Sequence, residues 1–312
     1  MSLARAFDSP ADKRRYVRRL FATIAGRYDL ITRLLSFGLD RRWKARLVEA
    51  THVTAGTRAL DLACGTGDIA ALMAGRGATV TGLDITLDML KLARAKPRGA
   101  AIRWIAGDMA ALPLAAGSVD VITTGYGLRN VPDLPQALSE AHRVLADDGR
   151  LASLDFNRPE SRAVRAVYLA YLTVVGSVLG WMLHRDADTY RYIPASIARY
   201  PGAGGVARLI EDAGFVDVRV LPVLGGLMAI HLAAKRPIAG SMNGSRSVSL
   251  SSAIGVPGAI GTSSTTTLCR LTATLDRPRT RGGRTLVSRT NSMKSSAEVS
   301  DAIRADPAGV CA

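Results

Sequence analysis

Arg58-Ala59-Leu60-Asp61-Leu62-Ala63-Cys64-Gly65-Thr66-Gly67-Asp68-Ile69-Ala70-Ala71-Leu72 reads as an apolar strand, a glycine turn and the first turns of an apolar-periodic helix. Gly65 and Gly67 carry no Cβ, so the turn can take positive φ and bring its backbone close to a ligand. The helix that follows points its unpaired N–H groups at whatever the turn holds. Two further strands end in acids. Residues 78–83 run into Asp84, 17 residues beyond Gly67, near the spacing at which a second-strand carboxylate meets a ribose hydroxyl pair. Residues 101–106 run into Gly107-Asp108-Met109. Three successive strand ends therefore aim at one crevice.

The alternation continues down the chain. A fourth strand over residues 119–124 opens into Gly125-Tyr126-Gly127-Leu128-Arg129-Asn130-Val131-Pro132-Asp133, and a fifth over 150–156 carries Asp155 near its end. Helical patterns fill residues 69–74, 87–95 and 135–145, and Asp147-Asp148-Gly149 is a turn. Two last strands, over 215–223 and 226–234 and joined through Gly225-Gly226, make an antiparallel edge hairpin. The fold class expected is α/β and Rossmann-like: a seven-stranded, mostly parallel, doubly wound sheet whose ligand lies at the carboxyl ends of its strands.

The turn is not the dinucleotide fingerprint, because it has no third glycine and Asp61 would face a diphosphate with the wrong charge. A carboxylate there suits a ligand with an ammonium group, such as the amino-acid end of S-adenosylmethionine. The stretch resembles motif I of the class I methyltransferases. That resemblance implies S-adenosyl-L-methionine as cofactor, with Asp84 on the ribose and Ile85 beside it. It sets Asp108 and Met109 about the adenine and Asp61, Gly65, Thr66, Gly67 and Gly125 around the remainder.

Composition limits the alternatives. The three cysteines, Cys64, Cys269 and Cys311, give neither a disulfide framework nor metal-ligand spacing, so a reducing, cytoplasmic setting and no metal are expected. Residues 1–19 have no apolar run of signal-peptide length. The net charge of +15 is concentrated: residues 1–46 hold twelve basic against four acidic side chains. A solvated helix face explains this most simply, an anionic membrane surface comes next, and no motif speaks for nucleic acid. Residues 11–25 form a basic helix with Tyr16, Leu20, Phe21 and Ile24 on one face, and residues 1–50 together read as a helical lid.

Residues 166–183 carry no charge, which is the length of a membrane span. Their position between strands of one sheet argues instead for an apolar helix pair covering the crevice, within a helical insert over residues 157–200. Residues 1–236 make the catalytic domain in this reading. Residues 237–312, rich in Ser, Thr, Gly and Arg, are expected to form a disordered basic tail.

A narrower resemblance spans roughly residues 20–236. Tyr28-Asp29 with Ser36-x-Gly38 and Arg42-Trp43-Lys44, then Gly127-Leu128-Arg129-Asn130-Val131, then Asp188-x-Tyr190-Arg191-Tyr192-Ile193 with Ser196-Ile197, and finally Ala229-Ile230-His231, are similar to the menaquinone and ubiquinone biosynthesis C-methyltransferases. Thr32, Gly125 and Asp155-Phe156-Asn157 depart from the family's usual residues. The resemblance implies methyl transfer to a ring carbon of a prenylated quinol such as demethylmenaquinol. Carbon becomes nucleophilic when the adjacent phenol loses its proton, so a proton acceptor and a donor to the phenolate are needed. Arg129 and Asn130 fit the donor role, since an arginine is a poor base. His231 or Asp155 would take the proton, and Tyr28 would bound the ring. A lipid quinol is then the expected partner, with an anionic membrane against the basic N-terminal region and a second copy of the chain as further candidates. A methyltransferase acting on a soluble aromatic, and an inactive cofactor-binding scaffold, remain alternatives from the sequence.

Overall fold

Strands β1 (Arg58–Leu62), β2 (Thr79–Asp84), β3 (Arg103–Ala106), β4 (Val119–Gly125), β5 (Leu145–Phe156), β6 (Phe215–Val223) and β7 (Met228–Lys235) join in one sheet of order β3-β2-β1-β4-β5-β7-β6. The first five pair in parallel, and β7 runs antiparallel to both β5 and β6. The computed structural model describes residues 3–97, 99–186 and 189–237, all within one unit. Asp188 and the expected tail from residue 238 onward lie outside the described residues.

Helices pack on both faces of the sheet. Strand side chains alternate between them: Leu60, Leu62 and Ile122 face one core, and Ala59 and Val121 face the other. The first core is closed by α6 (Leu134–Val144) and α9 (Ala203–Asp212), whose Leu138, Val144, Val206 and Ile210 are buried. The second takes Leu47 and Val48 of α3 (Asp40–Ala50) and Ile69, Ala70 and Met73 of α4 (Asp68–Ala74). Helix α5 (Leu87–Ala95) follows β2 with Met89, Leu90 and Ala93 inward.

Two helices precede these. Helix α1 (Pro10–Ile24) starts where Ser9 Oγ accepts from the Asp12 N–H and proline occupies the first turn, and α2 (Tyr28–Leu35) follows a short 3-10 turn. The expected turn at Asp147-Asp148-Gly149 is a bulge inside β5: the pairing steps from Leu145 to Arg150 while β4 advances from Val119 to Val121.

The uncharged stretch expected as a helix pair is one continuous helix, α7 (Arg162–His184). Its glycines do not break it because both are buried, and Gly176 packs against Tyr190, where a Cβ would come within 3.2 Å of the Tyr190 Cβ. Helix α8 (Tyr192–Arg199) then returns the chain toward the sheet.

Candidate active site

At the end of β1 the chain turns through Ala63, Gly65 and Gly67, all at positive φ, into α4. Asp61, fully buried, accepts from the Ala70 N–H at 3.1 Å and from Thr123 Oγ1 at 2.9 Å. Burial pushes its carboxyl up to about 7 against those two hydrogen bonds. A polar hollow beside it is lined by Tyr28, Lys44, Gly65, Thr66 and Asp68. Thr66 Oγ1 donates to Asp29 at 2.5 Å. Lys44 is buried and bonds Asp40 at 3.0 Å and Asp68 at 2.8 Å, while Lys96 bonds Asp68 at 2.8 Å and Asp29 at 2.6 Å. Burial works against the Lys44 ammonium, but Asp68, Tyr28 and Asp40 outweigh it and raise its pKa. Lys44 enters the sequence reading only within the Arg42-Trp43-Lys44 resemblance and Lys96 not at all, because their partners Asp68 and Asp29 lie far from them along the chain.

A cleft continues from this hollow across the ends of β2, β3 and β4. Its walls include Gly65, Asp84, Ile85, Asp108, Met109 and Gly125. Asp84 accepts from the Gly65 and Thr86 N–H groups, both at 2.8 Å, which fixes its carboxylate at the turn. Two buried polar atoms in this wall, Asn130 Oδ1 and Thr86 Oγ1, have no hydrogen-bond partner among the described residues. A cleft with an acid at the second strand end, an open glycine at the first and orphaned polar atoms between fits a nucleoside-bearing cofactor. Gly67 is the exception among the expected cofactor residues. It lines neither hollow nor cleft, and its missing Cβ makes room for Trp104, whose Cη2 would lie 2.6 Å away.

Helix α1 closes the cleft from above, contributing Arg14, Val17 and Phe21 to its wall. Arg14 Nε bonds Asp108 at 2.8 Å. Lys13 Nζ donates to the carbonyls of Arg129 at 3.1 Å and Val131 at 2.7 Å. Burial, then the neighbouring Arg129, lowers the Lys13 pKa to about 8. Part of the basic N-terminal charge is thus spent inside the molecule.

On the other side of Tyr28 and Tyr126 lies an apolar cavity of about 280 Å³. Phe21, Tyr28 and Tyr126 line both spaces and form their common wall. Tyr126, held at φ +62 by its N–H bond to the Leu154 carbonyl at 2.7 Å, tilts against Phe156 with ring centroids 5.6 Å apart. Aromatic side chains from α7 and α8, Tyr168 and Tyr192, complete the surround. The cation in this apolar wall is Arg129. Its Nε and backbone N–H donate to Asp155 at 3.4 and 3.0 Å, its Nη1 donates to Ser196 Oγ, and its guanidinium lies 5.2 Å from the Phe156 ring centre. Nη2 has no hydrogen-bond partner among the described residues.

Three expectations for the acceptor side change here. Asn130 does not join Arg129: the 3-10 turn Leu128–Asn130 turns it the other way, into the cofactor cleft, with Nδ2 donating to the Tyr126 carbonyl at 2.8 Å. His231 lines neither space; its Nδ1 is 3.3 Å from Ser153 Oγ and its Nε2 2.9 Å from the Ala203 carbonyl, and burial lowers its pKa. Asp155 is no free base, because both oxygens accept from Arg129 or from the Phe156 N–H at 2.8 Å. Tyr28 stands in the wall between the two spaces, with burial raising its phenol pKa.

Fold and cleft together define a class I S-adenosylmethionine-dependent methyltransferase. A solved S-adenosylmethionine-dependent methyltransferase of Thermotoga maritima, described as a possible histamine N-methyltransferase, shares the fold with a TM-score of 0.52 at 18% identity, covering 70% of this chain and 100% of that one. A model of the ubiE/COQ5 methyltransferase family matches residues 10–235, and the chain belongs to that family. Its relatives include the demethylmenaquinone methyltransferase of Thermus thermophilus, 41% identical over 68% of this chain and 98% of that protein. The 2-phytyl-1,4-naphtoquinone methyltransferase of Thermosynechococcus vestitus is 42% identical over 70% and 99%. A ubiquinone/menaquinone biosynthesis C-methyltransferase of Rubrivivax gelatinosus is 37% identical over 72% and 88%.

Proposed function

We propose that the chain methylates a ring carbon of a reduced, prenylated quinol of the naphthoquinol or benzoquinol class. The observation that supports this most is Arg129: a clamped, buried guanidinium in an aromatic wall, one residue layer from the cofactor cleft. S-adenosylmethionine supplies an electrophilic methyl group on a sulfonium centre. Asp84 takes its ribose hydroxyls, Asp61 its ammonium, and Ile85, Asp108 and Met109 surround its base. Asn130 Oδ1, otherwise without a partner, accepts a hydrogen bond from it.

On the acceptor side Asp155 and Ser196 fix the guanidinium plane, and Nη2 donates to the quinol oxygen as it becomes a phenolate. A preorganised cation in an apolar cavity stabilises that charge far more than water does. With His231 and Asp155 both engaged, the phenol proton passes to water, as does the ring proton when the methylated carbon regains aromaticity. Tyr28 and Tyr126 hold the ring edge toward the cleft.

A cavity of about 150 Å³ accommodates a single benzene ring, so about 280 Å³ suits a quinol head group and leaves its prenyl chain outside. Contact with a membrane is part of this reading, although Lys13 and Arg14 of the basic N-terminal region are engaged over the cleft. The test is transfer of labelled methyl to a panel of reduced demethylated naphthoquinols and benzoquinols, with the product carbon identified. Label on oxygen, or on none of the panel, would refute the proposal.

A further inference from the structure

Helix α7 is apolar on its outside as well as its inside. Val164, Val167, Val174, Val178 and Met182 are exposed, Val167 at 72%. Only 22% of its most apolar window is buried, at a mean hydropathy of 1.8. No charge falls between Arg165 and Arg185, and the helix cannot leave the domain, because Tyr168 and Leu172 pack with Ile197 and it is tied to the sheet on both sides. It therefore lies flat on the surface.

The mouth of the acceptor cavity opens beside that stripe. The cavity-lining residues that reach solvent are Phe37 at 77%, Leu224 at 48% and Tyr171 of α7 itself at 40%. Leu30 and Leu34 of α2 are exposed too. Basic side chains frame the patch: Arg162 and Arg165 at one end of α7, Arg185 at the other with its guanidinium 5.9 Å from the Trp181 ring, and Arg27 near His184. An apolar face edged by tryptophan, tyrosine and arginine is the make-up of a helix lying in a bilayer interface. A second protein copy seated on the same face would cover the mouth through which a prenyl chain must leave.

We infer that the outer face of α7, continued by Phe37 and Leu224, rests on an anionic lipid bilayer and opens the acceptor cavity directly into it. This rests on the reading of the acceptor as a lipid quinol. Only the ring leaves the membrane, and the chain stays in lipid.

The test compares the wild type with the double substitution Val167→Glu and Val174→Glu, neither of which lines the cavity. Wild type should co-sediment with vesicles of phosphatidylglycerol and phosphatidylcholine, and the variant should bind roughly tenfold or more weakly. Turnover on a dissolved naphthoquinol without side chain should be unchanged, while turnover on a prenylated quinol in vesicles falls with binding. Trp181, 60% exposed, gives a reading free of any folding defect: brominated lipids should quench it in the wild type, and Trp181→Phe should abolish that component. Wild type that stays in the supernatant, or variants that bind equally well, would overturn the docking surface. So would a wild-type dimer that the substitutions split without altering vesicle binding. A chain that binds vesicles through α7 but methylates no quinol upholds the surface and brings down the acceptor assignment alone.

Discussion

The cofactor cleft and the acceptor cavity share a wall but are built by different means. The cleft and the polar hollow beside it are floored by strand ends and their turns, which fix Asp61, Asp84 and Asp108 through bonds to main-chain N–H groups. The cavity is made by side chains, with aromatic rings from α1, α2, α7 and α8 around a single arginine clamped by Asp155 and Ser196. On the proposed reading the cleft side holds one invariant ligand, whereas the rings of the cavity set which acceptor enters and how its charge is met. Substitutions on the two sides should therefore separate affinity from turnover.

Arg129→Ala should break the cavity side most severely. Loss of one preorganised donor costs about 10²–10³ in rate, and single-turnover methyl transfer should show it while cofactor titration stays nearly unchanged. Arg129→Lys keeps charge without the fork geometry and should recover little. Asp84→Ala should do the reverse, weakening S-adenosylmethionine by roughly 1–3 kcal/mol in calorimetry. Unchanged affinity would remove it from the cofactor's contacts.

A pH series sharpens the contrast further. The buried Asp61 has its pKa raised to about 7, so below that pH the ligand-free chain holds it protonated. Binding an ammonium needs the carboxylate, so affinity should fall about tenfold per pH unit below 7, with a proton released on binding. Asp61→Asn should flatten that profile. In the ligand-free chain the sign is opposite: an acid whose folded pKa is raised loses stability as pH climbs from the ordinary carboxylate range to about 7. Asn130→Ala should cost cofactor affinity by about 0.5–1.5 kcal/mol and leave single-turnover rates at saturating cofactor intact. A rate loss there instead would return Asn130 to the acceptor side. His231→Ala should leave turnover untouched and lower stability by about 1–3 kcal/mol through the orphaned Ser153 and Ala203 partners, measured by denaturant unfolding.

What the sequence reveals follows the same division. The strands, the acids at their ends and the open glycine at Gly65 are legible because period-2 apolar runs and turn residues are local signals. The role of Gly67 is not, since it depends on Trp104 arriving from β3. Nor is the split between Arg129 and Asn130, adjacent residues that a 3-10 turn sends into different spaces. His231 looks chemically able until Ser153 and Ala203, far away in sequence, are seen to occupy both its nitrogens. The single helix α7 is expected as a pair from its place between two strands of one sheet, and the packing of Gly176 against Tyr190 that lets it run unbroken is displayed only by the folded chain.

Helix α1 has a kinetic consequence. Lys13 and Arg14 latch it across the cleft at the Arg129 and Val131 carbonyls and at Asp108. The spent cofactor must leave after every methyl transfer, and α1 forms part of the wall of its cleft. We expect the helix to lift once per cycle, so that the opening frequency of α1, read from hydrogen exchange of its amides, sets a ceiling on steady-state turnover. Lys13→Ala should quicken both that exchange and product release, and steady-state turnover above the measured opening frequency would refute the gate.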